Sequence, residues 1–133
     1  MSTLAEVRDA LAGSLAEIPG LHALARMGQV HAPAALVELD HVEYHDSMDT
    51  TSPLWFFSVT ALVSNADVVA AQEALDVYLS PEGGGSIRAA LENDPTLGGA
   101  VGDVIVREAA GYQPYDVGGE SYLGVRFTLE VRP

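Results

Sequence analysis

The segment from Asn65 to Val131 constrains the fold more than any other part of this chain. A helical pattern opens at Asn65 and places apolar side chains on one face, at Val68, Ala71, Leu75 and Leu79. A glycine-rich stretch follows, and the run from Tyr122 to Val131 alternates apolar and polar residues, which is typical of a strand. A strand with one apolar face needs both a sheet and a covering layer. The sequence therefore predicts helices packed on a sheet.

The first third of the chain predicts a capped helix. Thr3 and Glu6 form a capping-box pattern, and apolar residues then recur at helical spacing, at Leu4, Val7, Leu11, Leu15 and Ile18. This pattern predicts an amphipathic helix over residues 4–18, stopped by Pro19-Gly20. We expect a further short turn of helix from His22 to Met27.

A long antiparallel hairpin is predicted next. The first strand runs from Ala34 to Tyr44, and the second, rich in aromatic and β-branched residues, runs from Leu54 to Val63. The turn-forming cluster from Asp46 to Pro53 separates them. We expect this tip to project from the body of the protein.

The second half adds two helices and two strands. The prediction is a helix over Ala66–Leu79 capped by Asn65 or Ser64, a short helical turn over Ser86–Leu91, a strand over Val101–Glu108, a loop over Ala109–Glu120 and a strand over Ser121–Arg132. The fold class is α+β: an N-terminal helix, a long β-hairpin, a second helix and two further antiparallel strands. Together the strands form one mixed-to-antiparallel sheet packed by helices, and residues 1–133 are expected to form one domain.

Charge argues against nucleic-acid and membrane binding. Nineteen acidic residues face six arginines and no lysine, which gives a net charge of −13. Phosphates and anionic lipids repel such a surface. No apolar run approaches the roughly 20 residues that span a bilayer, and the first residues lack a secretory pattern. The acidity fits either a solvated surface or a wall along which DNA passes without sticking.

One cluster could bind a metal ion. On a strand, His41, Glu43 and His45 would share a face, and two imidazoles with a carboxylate are reasonable zinc ligands. The alternative is a hydrated polar face of the hairpin. We favour that alternative and expect no metal and no cofactor.

The sequence offers no catalytic constellation. The run Gly83-Gly-Gly-Ser86 lacks the lysine of a phosphate-binding loop, so we interpret it as a turn capped by Ser86. Nothing groups a nucleophile, a base and an orienting residue. We therefore expect that the protein is not an enzyme.

Aromatic residues are the best candidates for subunit contacts. Trp55 and Phe56 point to opposite faces of a strand, so one of them must leave the core unless helices cover both faces. Tyr112 and Tyr115 lie in the predicted loop. Exposed aromatic patches often mark partners.

The order of elements resembles the tail-terminator, or tail-completion, proteins of long-tailed bacteriophages, in particular actinobacteriophage-like ones. The resemblance covers most of the chain, and its most specific parts are Gln72–Leu79, Gly83–Leu91 with Ser86-Ile87, Thr96-Leu97 and the strand Tyr122–Val131. It implies a virion protein of the tail and neck, assembled in the host cytoplasm. Such a protein caps the head-proximal end of the tail tube as a ring, expected to be a hexamer.

The resemblance also implies partners and contact regions. The partners are further copies of the chain, the major tail tube protein and the neck or head-tail connector proteins, while DNA passes through the lumen without specific binding. The tip Asp46–Pro53 and the loop Gly111–Glu120 are the candidate regions. The candidate interface residues are Trp55, Phe56, Asp46, Asp49, Tyr112, Tyr115 and Tyr122. Another neck component, or a small ligand- or metal-binding α+β module, is the alternative.

Overall fold

The computed structural model describes residues 3–26, 28–44 and 53–132. It confirms the predicted α+β class. In chain order the elements are α1 (Leu4–Leu15), β1 (His22–Leu24), β2 (Ala34–Glu43), β3 (Leu54–Ser64), α2 (Val68–Leu79), α3 (Ile87–Glu92), β4 (Asp103–Val117) and β5 (Glu120–Arg132).

The strands form one five-stranded sheet in the order β1-β2-β3-β5-β4. The pair β1–β2 is parallel and the other pairs are antiparallel, so the sheet is mixed, as predicted. The predicted hairpin is confirmed as β2–β3, with a register irregularity between Leu39 and His41. β3 and β5 are interior strands and carry most of the buried side chains of the sheet.

The three helices cover one face of the sheet, here called the inner face. Alternate residues of β3 and β5 point to it and join the buried faces of the helices in one core. The largest fully buried side chains are Phe57, Leu11, Leu15, Leu62, Leu75, Ile87, Leu91 and Leu129. On the other, outer face the described residues form a small apolar cluster of Leu36, Leu62 and Tyr122, with Leu24, Val30, Ala32, Tyr115 and Val117 packed against it.

Each helix begins where a side chain satisfies free backbone amides. The predicted capping box of Thr3 and Glu6 is present at α1. Asp67 caps α2 by accepting from the Ala70 amide at 3.1 Å, and Ser86 caps α3 by accepting from the Ala89 amide at 3.0 Å. The predicted role of Ser86 as a cap is thus confirmed.

Two helix boundaries differ from the prediction. α1 ends at Leu15 instead of residue 18, although Ile18 is still buried in the core; the apolar repeat there reflects burial rather than continued helix. α2 is capped by Asp67 instead of Asn65 or Ser64 and buries Ala71, Leu75 and Tyr78, while the predicted core residue Val68 is 55% exposed. An aspartate two residues after an asparagine offers the same cap chemistry, so the sequence did not distinguish the two.

One strand was missed and another was predicted too short. The predicted helical turn at 22–27 is instead the strand β1, which pairs with Ala34–Leu36 of β2. The predicted loop 109–120 is instead the second half of β4, the turn Gly118-Gly119 and the start of β5. Pairing with another strand determines the conformation of both segments, and the local sequence does not show that pairing.

Candidate assembly surfaces

β4 forms one edge of the sheet. It pairs with β5 on one side only, because it stands last in the strand order. Every residue from Arg107 to Pro114 is exposed. Register irregularities lie between Val106 and Glu108 and between Ala110 and Gln113; such bulges are common on edge strands. This edge offers backbone groups and side chains to a partner.

β2 forms most of the opposite edge. β1 has three residues and pairs only with Ala34–Leu36, so the rest of β2, residues 37–43, has no strand on that side within the described part of the chain. Its outer-face residues Glu38 and His41 are exposed, as is Glu43 at its end. The sheet therefore has two different open edges at opposite ends.

Glu92 and Glu130 fix the first half of β4. The Glu92 carboxylate accepts from the Val106 amide at 2.9 Å and from Arg88 at 3.0 Å, and so ties α3 to the first bulge. Arg107, the extra residue of that bulge, forms an ion pair with the nearly buried side chain of Glu130. These contacts hold the edge strand in one conformation.

A second group orders the other half of β4. The Tyr115 hydroxyl donates to the Gly111 carbonyl at 2.7 Å. The Arg126 guanidinium lies 5.8 Å from the centre of the Tyr115 ring, and its Nε donates to Thr60 Oγ1 at 3.4 Å. Sequence reasoning did not single out Arg126. The one available signal was its position as the charged residue in the otherwise apolar centre of the last strand.

Of the aromatic candidates, Trp55 and Tyr122 lie inside the chain. Trp55 is 7% exposed and belongs to the inner core, because it points to the face that the helices cover. Tyr122 is also 7% exposed and sits in the outer-face cluster. Its hydroxyl donates to Glu120 at 2.9 Å, and this hydrogen bond, with burial and the glutamate's charge, raises the pKa of Tyr122. Neither ring offers a contact surface in this structure.

The other candidates differ in their exposure. Phe56 is half-buried on the outer face, where its ring stacks on His41 at 4.4 Å between centroids and 8° between planes. Tyr112 is 42% exposed on β4, and Tyr115 is half-buried beside Arg126. Asp46 and Asp49, with all of the candidate tip except Pro53, lie outside the described residues.

Of the three proposed metal ligands, the structure describes His41 and Glu43. His41 Nε2 lies 3.8 Å from Glu43 Oε1, and its Nδ1 lies 2.9 Å from Asp40 Oδ2. His45 lies outside the described residues. Over residues 3–26, 28–44 and 53–132, no group of three histidine, aspartate or glutamate side chains gathers as a metal site.

No helix within the described ranges has the length and apolar character needed to cross a bilayer. Comparison with models of known protein families gave no match, and a search of curated proteins gave none either.

Proposed function

We propose that this protein is a structural assembly protein that closes into a ring and caps the head-proximal end of a phage tail tube. In this role it ends tube growth and presents the surface that the neck joins. The chain acts by covering a growing end rather than by catalysis. Its partners are further copies of itself, the tail tube protein and a neck protein.

One observation carries this proposal: the sheet has two different open edges at opposite ends, formed by β4 and by residues 37–43 of β2. A ring of identical chains uses a head-to-tail interface, in which each copy offers two unlike surfaces. Exposed edges invite uncontrolled pairing unless a partner covers them. A closed ring covers every such edge, and a tube end provides the template on which it closes.

The order of elements that resembles tail terminators supports the same role. The helix over residues 68–79, the capped turn at Ser86 and the closing strand β5 stand in the expected order. The acidic composition supports a lumen along which DNA slides, since like charges repel. Another position in the neck is the alternative that the same edges would serve.

A tube-growth assay tests the proposal. The tail tube protein of the same genome is polymerised in vitro, with and without this protein, and tube lengths are measured by negative-stain electron microscopy. We expect shorter tubes with a ring at one end, and native mass spectrometry of released caps should give about six copies. Tubes of unchanged length with bare ends would refute the capping role.

A matched variant sharpens the assay. Tyr112→Asp places a charge on the exposed β4 edge, while Val69→Asp, at a residue that is also exposed, places the same charge on α2, away from both open edges of the sheet. If β4 is an assembly edge, the first variant should cap tubes less well than wild type. Equal capping by the two variants and wild type would remove β4 from the interface.

A further inference from the structure

Among the described residues, Arg126 has no carboxylate partner, although the chain is strongly acidic. Among the described residues, ion pairs join Arg26 to Asp9, Arg88 to Glu92 and Arg107 to Glu130. Arg126 forms no such pair with any described residue, although its side chain is held by Tyr115 and Thr60. A positioned guanidinium with free donors matches the geometry of a carboxylate.

The surroundings of Arg126 are open toward the β4 edge. A cleft beside it is lined by Ala110, Gly111, Gln113 and Thr128, together with Tyr115. Ala110 stands directly opposite Arg126 in the β4–β5 register. Ala110 carries only a methyl group and leaves the way across β4 open. The Arg126 Nε donates to Thr60 on β3 in this structure, so reaching the β4 edge replaces that hydrogen bond.

Glu38 is the complementary group at the other end of the sheet. It stands opposite Ser58 in the β2–β3 register, on the same outer face as Thr60. Its carboxylate is exposed and forms no ion pair within the described chain. Asp40 and Glu43, both exposed, add negative charge around it. Counting only partners that the structure describes, the outer face thus carries an unpaired cation near one open edge and an unpaired carboxylate at the other.

We propose that Arg126 of one copy binds Glu38 of the next copy, with the β4 edge of the first beside the β2 edge of the second. Strands in a sheet are about 4.8 Å apart, so β5 and the neighbour's β2 would be separated by about 10 Å. An arginine and a glutamate side chain together bridge that separation. A net charge of −13 makes the copies repel each other on average, so a contact that joins a cation to a carboxylate is favoured over one that joins two acidic surfaces. The inference rests on the ring of the proposed function and specifies its subunit contact.

Charge reversal tests the contact. Arg126→Glu and Glu38→Arg are purified separately, and their masses are measured by sedimentation equilibrium up to millimolar concentration. We expect wild type to associate and each variant alone to lose at least tenfold in association constant. Glu73→Arg, an exposed glutamate of α2 that makes the same charge change on the helical layer, should associate at least as well as wild type.

Mixing the two variants gives the decisive measurement. In a 1:1 mixture every contact again joins an arginine to a glutamate if the variants alternate, and alternation closes in a ring with an even number of copies. We expect the mixture to recover association and to contain equal amounts of both chains by native mass spectrometry. Circular dichroism melting must show that both variants fold. If Arg126→Glu does not fold, Arg126→Gln is measured alone, and a tenfold loss of its association constant then tests the contact.

The outcomes separate the contact from the function. A wild type that stays monomeric throughout, variants that associate like wild type, or a mixture that does not recover would each overturn the Arg126–Glu38 contact. Tube capping by wild type would still stand in those cases. Recovery in the mixture without any effect of wild type on tube length would instead keep the contact and refute the capping role.

Discussion

At the scale of single residues, Glu92 holds the helical layer to the edge strand. Its carboxylate accepts a hydrogen bond from the Val106 amide. Val106 stands at the first bulge, where the regular hydrogen bonding between β4 and β5 is interrupted. A buried amide without an acceptor costs about 1–3 kcal/mol, more than the net contribution of an ordinary hydrogen bond. Glu92 therefore stabilises β4 beyond the value of its ion pair with Arg88.

Replacing Glu92 should cost more than replacing its ion-pair partner. We expect Glu92→Ala to lower the free energy of unfolding by about 1–3 kcal/mol. Arg88→Ala removes only an exposed pair four residues apart on a helix, worth about 0.3–0.5 kcal/mol. Urea unfolding of both variants measures the difference. Equal losses would mean that the Val106 amide finds another acceptor.

Tyr78 should make the protein less stable in alkali. Burial raises the pKa of Tyr78 above its ordinary value of 10.0, so the unfolded chain loses the phenolic proton at lower pH than the folded one. Stability is then retained below pH 10 and lost as pH rises above it. We expect Tyr78→Phe to flatten this decline in pH-dependent urea unfolding. Tyr44→Phe, at a ring that is 68% exposed, serves as the control and should leave the decline unchanged.

At the scale of elements, the β4–β5 hairpin depends on a two-residue turn. Gly118 and Gly119 have φ values of 61° and 83°, as a type I′ turn requires, and Asn-Gly is the favoured sequence for that turn. We expect Gly118→Asn to be tolerated, and Gly118→Val to cost about 1–2 kcal/mol because a β-branched residue fits this region poorly.

Thermal melting of the Gly118 variants should be compared with Gly13→Ala. Gly13 lies inside α1, and a methyl group added there would meet nothing within 4 Å. That change should stabilise the protein by about 0.5–1 kcal/mol. If Gly118→Val had the same melting temperature as wild type, the conformation of the turn would not determine the register of the hairpin.

Some elements could be predicted well from the sequence, and others could be predicted only poorly. Alternation identified β5 and, less regularly, β2, and aromatic and β-branched residues identified β3, because each strand buries one or both faces against a layer of the protein. β4 loses its alternation after Arg107, where both faces are exposed, so its composition resembles a loop. The pairing of Arg126 with Thr60 joins residues 66 positions apart. That juxtaposition follows from strand register, and composition does not encode it locally.

At the scale of the whole molecule, charge should control association through salt. Two copies with a net charge of −13 repel each other over a screening length of about 30 Å at 0.01 M salt, which falls to about 8 Å at 0.15 M. We expect association of the wild type to strengthen over that range in sedimentation equilibrium. Salt weakens a short contact between Arg126 and Glu38 less than it weakens the long-range repulsion between the copies. Steady weakening over the same range would show that attraction between the edges is itself dominated by long-range charge.

The unlike ends of the sheet have a consequence for any closed assembly of this chain. When β4 of every copy meets β2 of the next, all copies run in the same rotational sense, clockwise when viewed from one side. No two-fold axis then relates the two flat sides of the ring, so they are chemically distinct surfaces. Such an object has a front and a back, and a particle could dock one kind of component on each without any further breaking of symmetry.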